Sequence, residues 1–201
     1  MTTSKRSPVS RTIRHILVGV LLMIGAPVSA NPATKSAHDF VFTAIEGGPL
    51  PLSQFAGQAI LVVNTASQCG FTHQYADLAE IWQRYRDQGL VVLAVPSNDF
   101  GGQEPGSEDE IKEFCEVTYG IDFPMTSKVH VRGDKAHEFY KWAAAELGSR
   151  AKPRWNFHKY LVSPGGELVD WFSTATSPTS PRVIVAIETH LPANERVGAA
   201  D

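Results

Sequence analysis

Ala59 to Thr72, AILVVNTASQCGFT, constrains the fold more tightly than any other stretch of the chain. Ile60 to Val63 is a continuous apolar run, the pattern of a strand buried on both faces. It ends in small and polar residues that include Cys69 and Gly70. Beyond Thr72, Tyr75, Leu78, Ile81, Trp82 and Tyr85 recur at three- and four-residue spacing, which predicts the apolar face of a helix. Gly89 closes that helix as a C-terminal cap does. Leu90 to Val95 is a second buried strand. The result is a strand–helix–strand unit, with Cys69 where the first strand hands over to the helix.

That position has chemical consequences. The unpaired N–H groups and partial positive charge of a helix N-terminus favour a thiolate. The thiolate is the reactive form of cysteine. A free cysteine can equally be a buried, inert small hydrophobe. The glycine neighbour and polar flanks of Cys69 predict an open loop rather than a core.

With 201 residues and 43% hydrophobic composition, the chain fits one globular domain, 31–201, behind a leader. Lys5, Arg6, Arg11 and Arg14 form a basic start without acids. Ile16 to Ile24 is apolar but too short for a membrane span. Pro27 breaks it, and Val28-Ser29-Ala30 reads as a cleavage site for a removable signal peptide over 1–30. The mature chain then begins at Asn31 and has no stable membrane insertion. Export places it in the periplasm of a Gram-negative source, and otherwise outside the cell. Removal takes four of 18 Lys+Arg and none of 21 Asp+Glu, leaving 14 against 21, or −7. This balance disfavours nucleic acid as a partner. Export also puts both cysteines in an oxidising compartment, where a pair is commonly a structural disulfide.

In order, 31–38 reads as a mobile entry arm. Phe40 and Phe42 suggest a short strand, turned at Gly47-Gly48-Pro49. Pro96 ends the second buried strand, and the glycine- and proline-rich loop Ser97 to Gly106 follows at its carboxyl end, where parallel sheets build sites. Ser107 and Glu110 have capping-box spacing for a helix that carries Cys115 on its buried side. Val129 and Val131 suggest a short strand, and Ala136 to Leu147 a helix. Trp155 to Val162 and Leu168 to Phe172 read as strands joined by Ser163-Pro164-Gly165-Gly166. Ser180-Pro181 opens a last helix to about His190, and 194–201 reads as a frayed tail. A parallel pair followed by a hairpin predicts an α/β, thioredoxin-like fold, a central mixed sheet flanked by helices.

Three separated segments resemble the glutathione peroxidase family. NTASQCGFT (Asn64 to Thr72) is similar to the signature around its peroxidatic residue. AVPSNDFGGQEPG (Ala94 to Gly106) is similar to the second signature, and RWNFHKYLV (Arg154 to Val162) to the third. The resemblance spans Phe40 to Leu191. It implies that Cys69 is the nucleophile and that Gln103, Trp155 and Asn156 complete a catalytic tetrad. Amide and indole N–H groups supply donors to a leaving oxygen without adding negative charge beside the thiolate.

The resemblance also implies a cycle. Peroxide oxidises Cys69 to a sulfenic acid. Cysteine at position 69 excludes the selenium branch. Cys115, at 115 − 69 = 46 positions further on, resembles the resolving cysteine of the thioredoxin-dependent members. The implied reductant is a thioredoxin-like dithiol protein rather than glutathione, and no cofactor or metal is implied. Ser97 replaces a cysteine common in the second motif, and Asn98-Asp99 replaces Asn-Gln. Trp171 stands where a basic residue often precedes Phe172, and Thr174 where proline is frequent. The short segment between the helix at Ala136 and Trp155 lacks the insertion of tetrameric members and implies a monomer.

Other chemistries fit less well. Cys69-Gly70-Phe71-Thr72 lacks the second cysteine of a Cys-x-x-Cys oxidoreductase. His73 falls on the exposed side of its helix, away from the part a hydrolase would need. The seven histidines and two cysteines lack metal-ligand spacing. The alternative outside enzymology is an exported thioredoxin-fold peroxide sensor or binding protein without rapid turnover, with Cys69 and Cys115 as sensor or static staple.

Overall fold

A computed structural model describes residues 1–3 and 35–192. Apart from residues 1–3, the leader and its cleavage site, and the tail, lie outside the described residues. One compact unit begins at Thr34.

Two seven-residue strands form the centre, β3 (Ala59–Thr65) and β4 (Leu90–Pro96), with every residue buried. They pair in parallel, Ile60 opposite Val91 and Val63 opposite Ala94. A parallel pair needs a crossover, and α1 (Gln74–Tyr85) supplies it. On the other side of β3 lies the antiparallel hairpin of β5 (Lys159–Val162) and β6 (Leu168–Phe172), giving the order β4-β3-β5-β6. A separate two-stranded sheet pairs β1 (Val41–Thr43) with β2 (Pro49–Pro51). The helices α2 (Glu108–Tyr119), α3 (Glu138–Glu146) and α4 (Pro181–His190) complete the mixed α/β architecture.

Successive side chains of a strand point to opposite faces, so β3 and β4 feed two cores. Leu61, Val63, Val92 and Ala94 face Tyr75, Leu78 and Ile81 of α1, Ile111 and Cys115 of α2, and Val183 and Ile187 of α4. Ile60, Val62, Val91 and Leu93 face Phe139, Tyr140 and Ala143 of α3 with Phe40 and Phe42. Burial on both faces explains why the strand sequences are continuously apolar. Each such side chain contributes about 1.5–3 kcal/mol of transfer free energy.

The helix ends follow the expected chemistry. Ser107 accepts from the Glu110 amide, and Glu110 accepts from the Ser107 amide, closing the capping box of α2. Gly120 ends α2 at φ 63°, a left-handed conformation that glycine adopts without strain. The entry arm is not wholly unstructured: Ser36 to Asp39 forms a capped 3-10 turn whose Ala37 amide donates to Gly166 O at 2.8 Å. A side chain at Gly166 would meet His38 Nδ1 at 3.0 Å.

Two expected strands are corrected. Val129 and Val131 form none: the Val129 amide donates to Pro96 O of β4 at 3.0 Å, but the amides of Val131 and Arg132 donate to the Asp99 carboxylate at 2.7 and 3.2 Å, so the pairing does not continue. Residues 155–158 also lie outside β5, which begins at Lys159. Phe157 is left-handed there, at φ 61°, which breaks any extended run.

Candidate active site

Cys69 lies in the turn between β3 and α1. Main-chain bonds from Thr72 N to Cys69 O (3.1 Å), Gln74 N to Phe71 O (2.9 Å) and Tyr75 N to Thr72 O (3.0 Å) start the helical winding before α1 itself. This winding aims the Phe71 amide back at the sulfur, and its N–H donates to Cys69 Sγ at 3.5 Å. The expected open loop is corrected here: Cys69 is 4% exposed and packs at the edge of the core. Its neighbours Gln68 and Gly70 are exposed, while the thiol between them is turned inward.

The loop after β4 is fastened alongside. Gln68 N donates to Gln103 O at 3.0 Å. The carboxylate of Glu104, fully buried, accepts from the Ser67 amide at 2.9 Å and the Ser67 hydroxyl at 2.5 Å. Burial pushes the Glu104 carboxyl upward, while the Ser67 donors and Lys128 pull it back toward the charged form. These bonds hold the Cys69 and Gln103 loops as one unit.

The third segment completes the cluster. Asn156 is buried, and its Nδ2 donates to Gln103 Oε1 at 2.9 Å. Occupying the oxygen of Gln103 leaves the Gln103 amide donors as its free end. Trp155 is 39% exposed, and a side chain at Gly101 would meet Gln103 Cγ at 3.5 Å and Trp155 Cη2 at 3.7 Å. Gln103, Trp155 and Asn156 are therefore brought together, with Cys69 on the adjoining loop.

Cys115 is not part of that cluster. It is fully buried on α2, and both cysteines are unbonded thiols. Burial pushes its pKa up to about 11; the nearby Tyr75 hydroxyl works against this, and the Glu104 and Glu116 charges add to it. At neutral pH it is a protonated, inaccessible thiol.

Several residues here escape sequence reasoning. Glu104 and Asn64 stand inside recognisable motifs, but nothing local tells that they are buried. Lys159 left a readable trace, a lone charge at the head of the apolar run Tyr160 to Val162. It is fully buried, and burial draws its pKa down to about 7 against the pull of Asp77. His158, also buried and held neutral by a pKa near 3, stacks on Trp171 with ring centroids 5.5 Å apart. Those two rings and Trp155 line a cavity of about 500 Å³, rimmed by Arg150, Lys152 and Arg154. Among the described residues, no three His, Cys, Asp or Glu side chains converge as metal ligands, and no helix is long and apolar enough to cross a membrane.

Comparison with known proteins bears on what this cluster is. The sequence pattern of the glutathione peroxidase family matches residues 37–144. A glutathione peroxidase-like peroxiredoxin of Schizosaccharomyces pombe is 43% identical over 136 residues, 66% of this chain and 85% of that protein. A hydroperoxy fatty acid reductase of Synechocystis sp. is 42% identical over 154 residues, 73% of this chain and 91% of the relative. The crystal structure of T. cruzi GPX1 superposes with a TM-score of 0.61 at 32% identity, covering 79% of this chain and 95% of that one. A thiol:disulfide interchange protein of Chlorobium tepidum, at 13% identity and a TM-score of 0.58, covers 80% of this chain and 99% of its own and shares the thioredoxin-like fold alone. The motif around the buried thiol, the loops fastened to it and these matches agree, and the chain belongs to the glutathione peroxidase family.

Proposed function

We propose that this chain is a thiol peroxidase that reduces hydrogen peroxide and organic or lipid hydroperoxides at Cys69. The observation that carries the reading is a thiol held by the Phe71 N–H on a loop whose Gln68 amide is bonded to Gln103 O, beside the paired amides of Gln103 and Asn156. The Cys69 thiolate attacks one peroxide oxygen, the O–O bond breaks, and the other oxygen leaves with a proton as water or an alcohol. Gln103, Asn156 and the Trp155 indole supply donors where negative charge develops. They do so without a carboxylate beside the thiolate, since Glu104 turns toward Ser67.

Cys69 is left as a sulfenic acid. The Cys115 thiol condenses with it, releasing water and forming a disulfide. A thioredoxin-like dithiol protein then returns both thiols, and the enzyme acts as a monomer. The name of the Schizosaccharomyces relative as a peroxiredoxin supports a dithiol route. The aromatic cavity with its basic rim supports amphipathic peroxides as substrates, as does the name of the Synechocystis relative. Turnover of peroxide with a thioredoxin system beside glutathione tests the reading. Sustained turnover with thioredoxin and little with glutathione is the expected result. Comparable rates with both remove the dithiol preference. A single oxidation without turnover under either marks a sensor.

The basic start, short apolar run and Val28-Ser29-Ala30 site support export of the chain. N-terminal sequencing of the exported product is expected to read from Asn31. An intact Met1 on soluble product overturns export with cleavage.

A further inference from the structure

Trp155, Asn156 and Phe157 turn sharply between two constrained points. Phe157 is left-handed at φ 61°, the one non-glycine residue with positive φ among the described residues. A bulky residue holds that conformation only where its surroundings fix it. Three consecutive carbonyls of this turn are each taken by a side-chain donor. Asn64 Nδ2 donates to Trp155 O at 3.1 Å, Thr174 Oγ1 to Asn156 O at 2.7 Å, and Lys159 Nζ to Phe157 O at 2.8 Å. The Phe157 amide is taken as well, donating to Asn64 O at 2.6 Å.

We propose that Lys159 and Thr174 are positioning residues of the peroxidase reaction, bracing the Trp155–Asn156–Phe157 turn so that Asn156 and Trp155 stay against Gln103. The inference rests on the peroxidase reading of Cys69. Lys159 is suited to the task because three acceptors surround its Nζ, one for each N–H of the protonated form: Phe157 O, Gln74 Oε1 at 2.7 Å and Thr176 O at 2.8 Å. It thereby ties the turn to the start of α1 and to the loop after β6. Thr174 belongs to that loop, and its own carbonyl accepts from Gln74 Nε2 at 2.7 Å. One network therefore links the turn bearing Asn156 to the helix that follows Cys69. Neither residue touches the peroxide. Each acts by fixing which way the Asn156 amide points and, through Gln103 Oε1, which end of Gln103 is free.

Stopped-flow oxidation of Cys69 by hydrogen peroxide tests this with four variants. Thr174→Val and Lys159→Met are expected to slow oxidation by about tenfold to about a hundredfold, the scale on which small misplacement of reacting groups acts. Thr174→Ser keeps the donor and is expected to stay within about twofold of wild type. Tyr85→Phe loses a hydrogen bond to Glu188 at the far end of α1 and lowers the melting temperature without changing the oxidation rate. A purely structural role for the brace predicts instead that rate follows melting temperature across all four. In the same samples, the Asn156 side-chain amide signal in a nitrogen–proton spectrum is expected to shift in Thr174→Val and return in Thr174→Ser. If Lys159→Met does not fold, the Thr174 pair decides. Wild-type oxidation rates and an unmoved Asn156 signal in Thr174→Val overturn the brace. Failure of wild-type Cys69 to react with peroxide at all sinks the peroxidase reading, and the Asn156 signal still reports on the brace.

Discussion

Replacing Cys69 by serine is expected to reduce peroxide turnover to the background rate while the protein stays folded. A hydroxyl is a weak nucleophile at its free pKa, and the Phe71 N–H bonded to position 69 is a donor, which does not activate it. The Phe71 N–H that donates to the sulfur at 3.5 Å can donate to a serine oxygen with little rearrangement. The side chain differs by one atom, and position 69 is at the margin of the core, so the stability cost is about 1–2 kcal/mol at most. The check is peroxide consumption beside thermal melting. Near wild-type turnover in Cys69→Ser would remove Cys69 as nucleophile, and collapse of the fold would make the loss of activity uninformative until a milder variant is made.

The second large effect concerns Cys115. In Cys115→Ser, Cys69 is expected to react once with peroxide and stop as sulfenic acid, with thioredoxin-driven turnover lost and over-oxidation to sulfinic acid increased. Cys115 is fully buried on α2, with its thiol raised to about 11 by burial first of all. In the two-cysteine cycle that enclosed thiol has to be uncovered, which predicts that the Cys115 helix opens locally more readily than the core strands. A static staple predicts something else. Closing a loop of 115 − 69 = 46 positions is worth about 4 kcal/mol in the chain-entropy model, and its loss would lower the melting temperature of the oxidised protein while sparing turnover. Turnover, melting temperature and the mass of the Cys69 peptide separate the two. Full thioredoxin-dependent turnover in Cys115→Ser would falsify the two-cysteine cycle.

Much of this protein is legible in its sequence because its strongest signals are local. The apolar runs of β3 and β4, the three- and four-residue spacing of Tyr75, Leu78 and Ile81, the capping box of Ser107 and Glu110, and Pro181 at the start of α4 each report on neighbours within a turn or two. Those signals fixed the order of elements, and the three motifs named Gln103, Trp155 and Asn156, which meet on loops adjoining the Cys69 turn. The misreadings have one origin. Val129 and Val131 look like a strand until Asp99, some thirty positions back, takes the Val131 and Arg132 amides that would carry it on. Trp155 looks like the start of β5 until Asn64 takes its carbonyl from 91 positions away.

By itself, then, the sequence determined the mixed α/β order, the reactive cysteine's place after a buried strand, and the family of the chain. Only the tertiary structure decided that Cys69 is buried rather than open, that Cys115 is wholly enclosed, and that Glu104 and Lys159 are ionisable groups inside the protein. It also decided that the Trp155 turn is left-handed and braced. The physical reason is range. Periodicity and capping are set by residues adjacent along the chain. The burial of a charge and the conformation of a strained turn are set by partners such as Gln74 for Lys159 and Ser67 for Glu104, which lie 85 and 37 positions away and meet only when the sheet has formed.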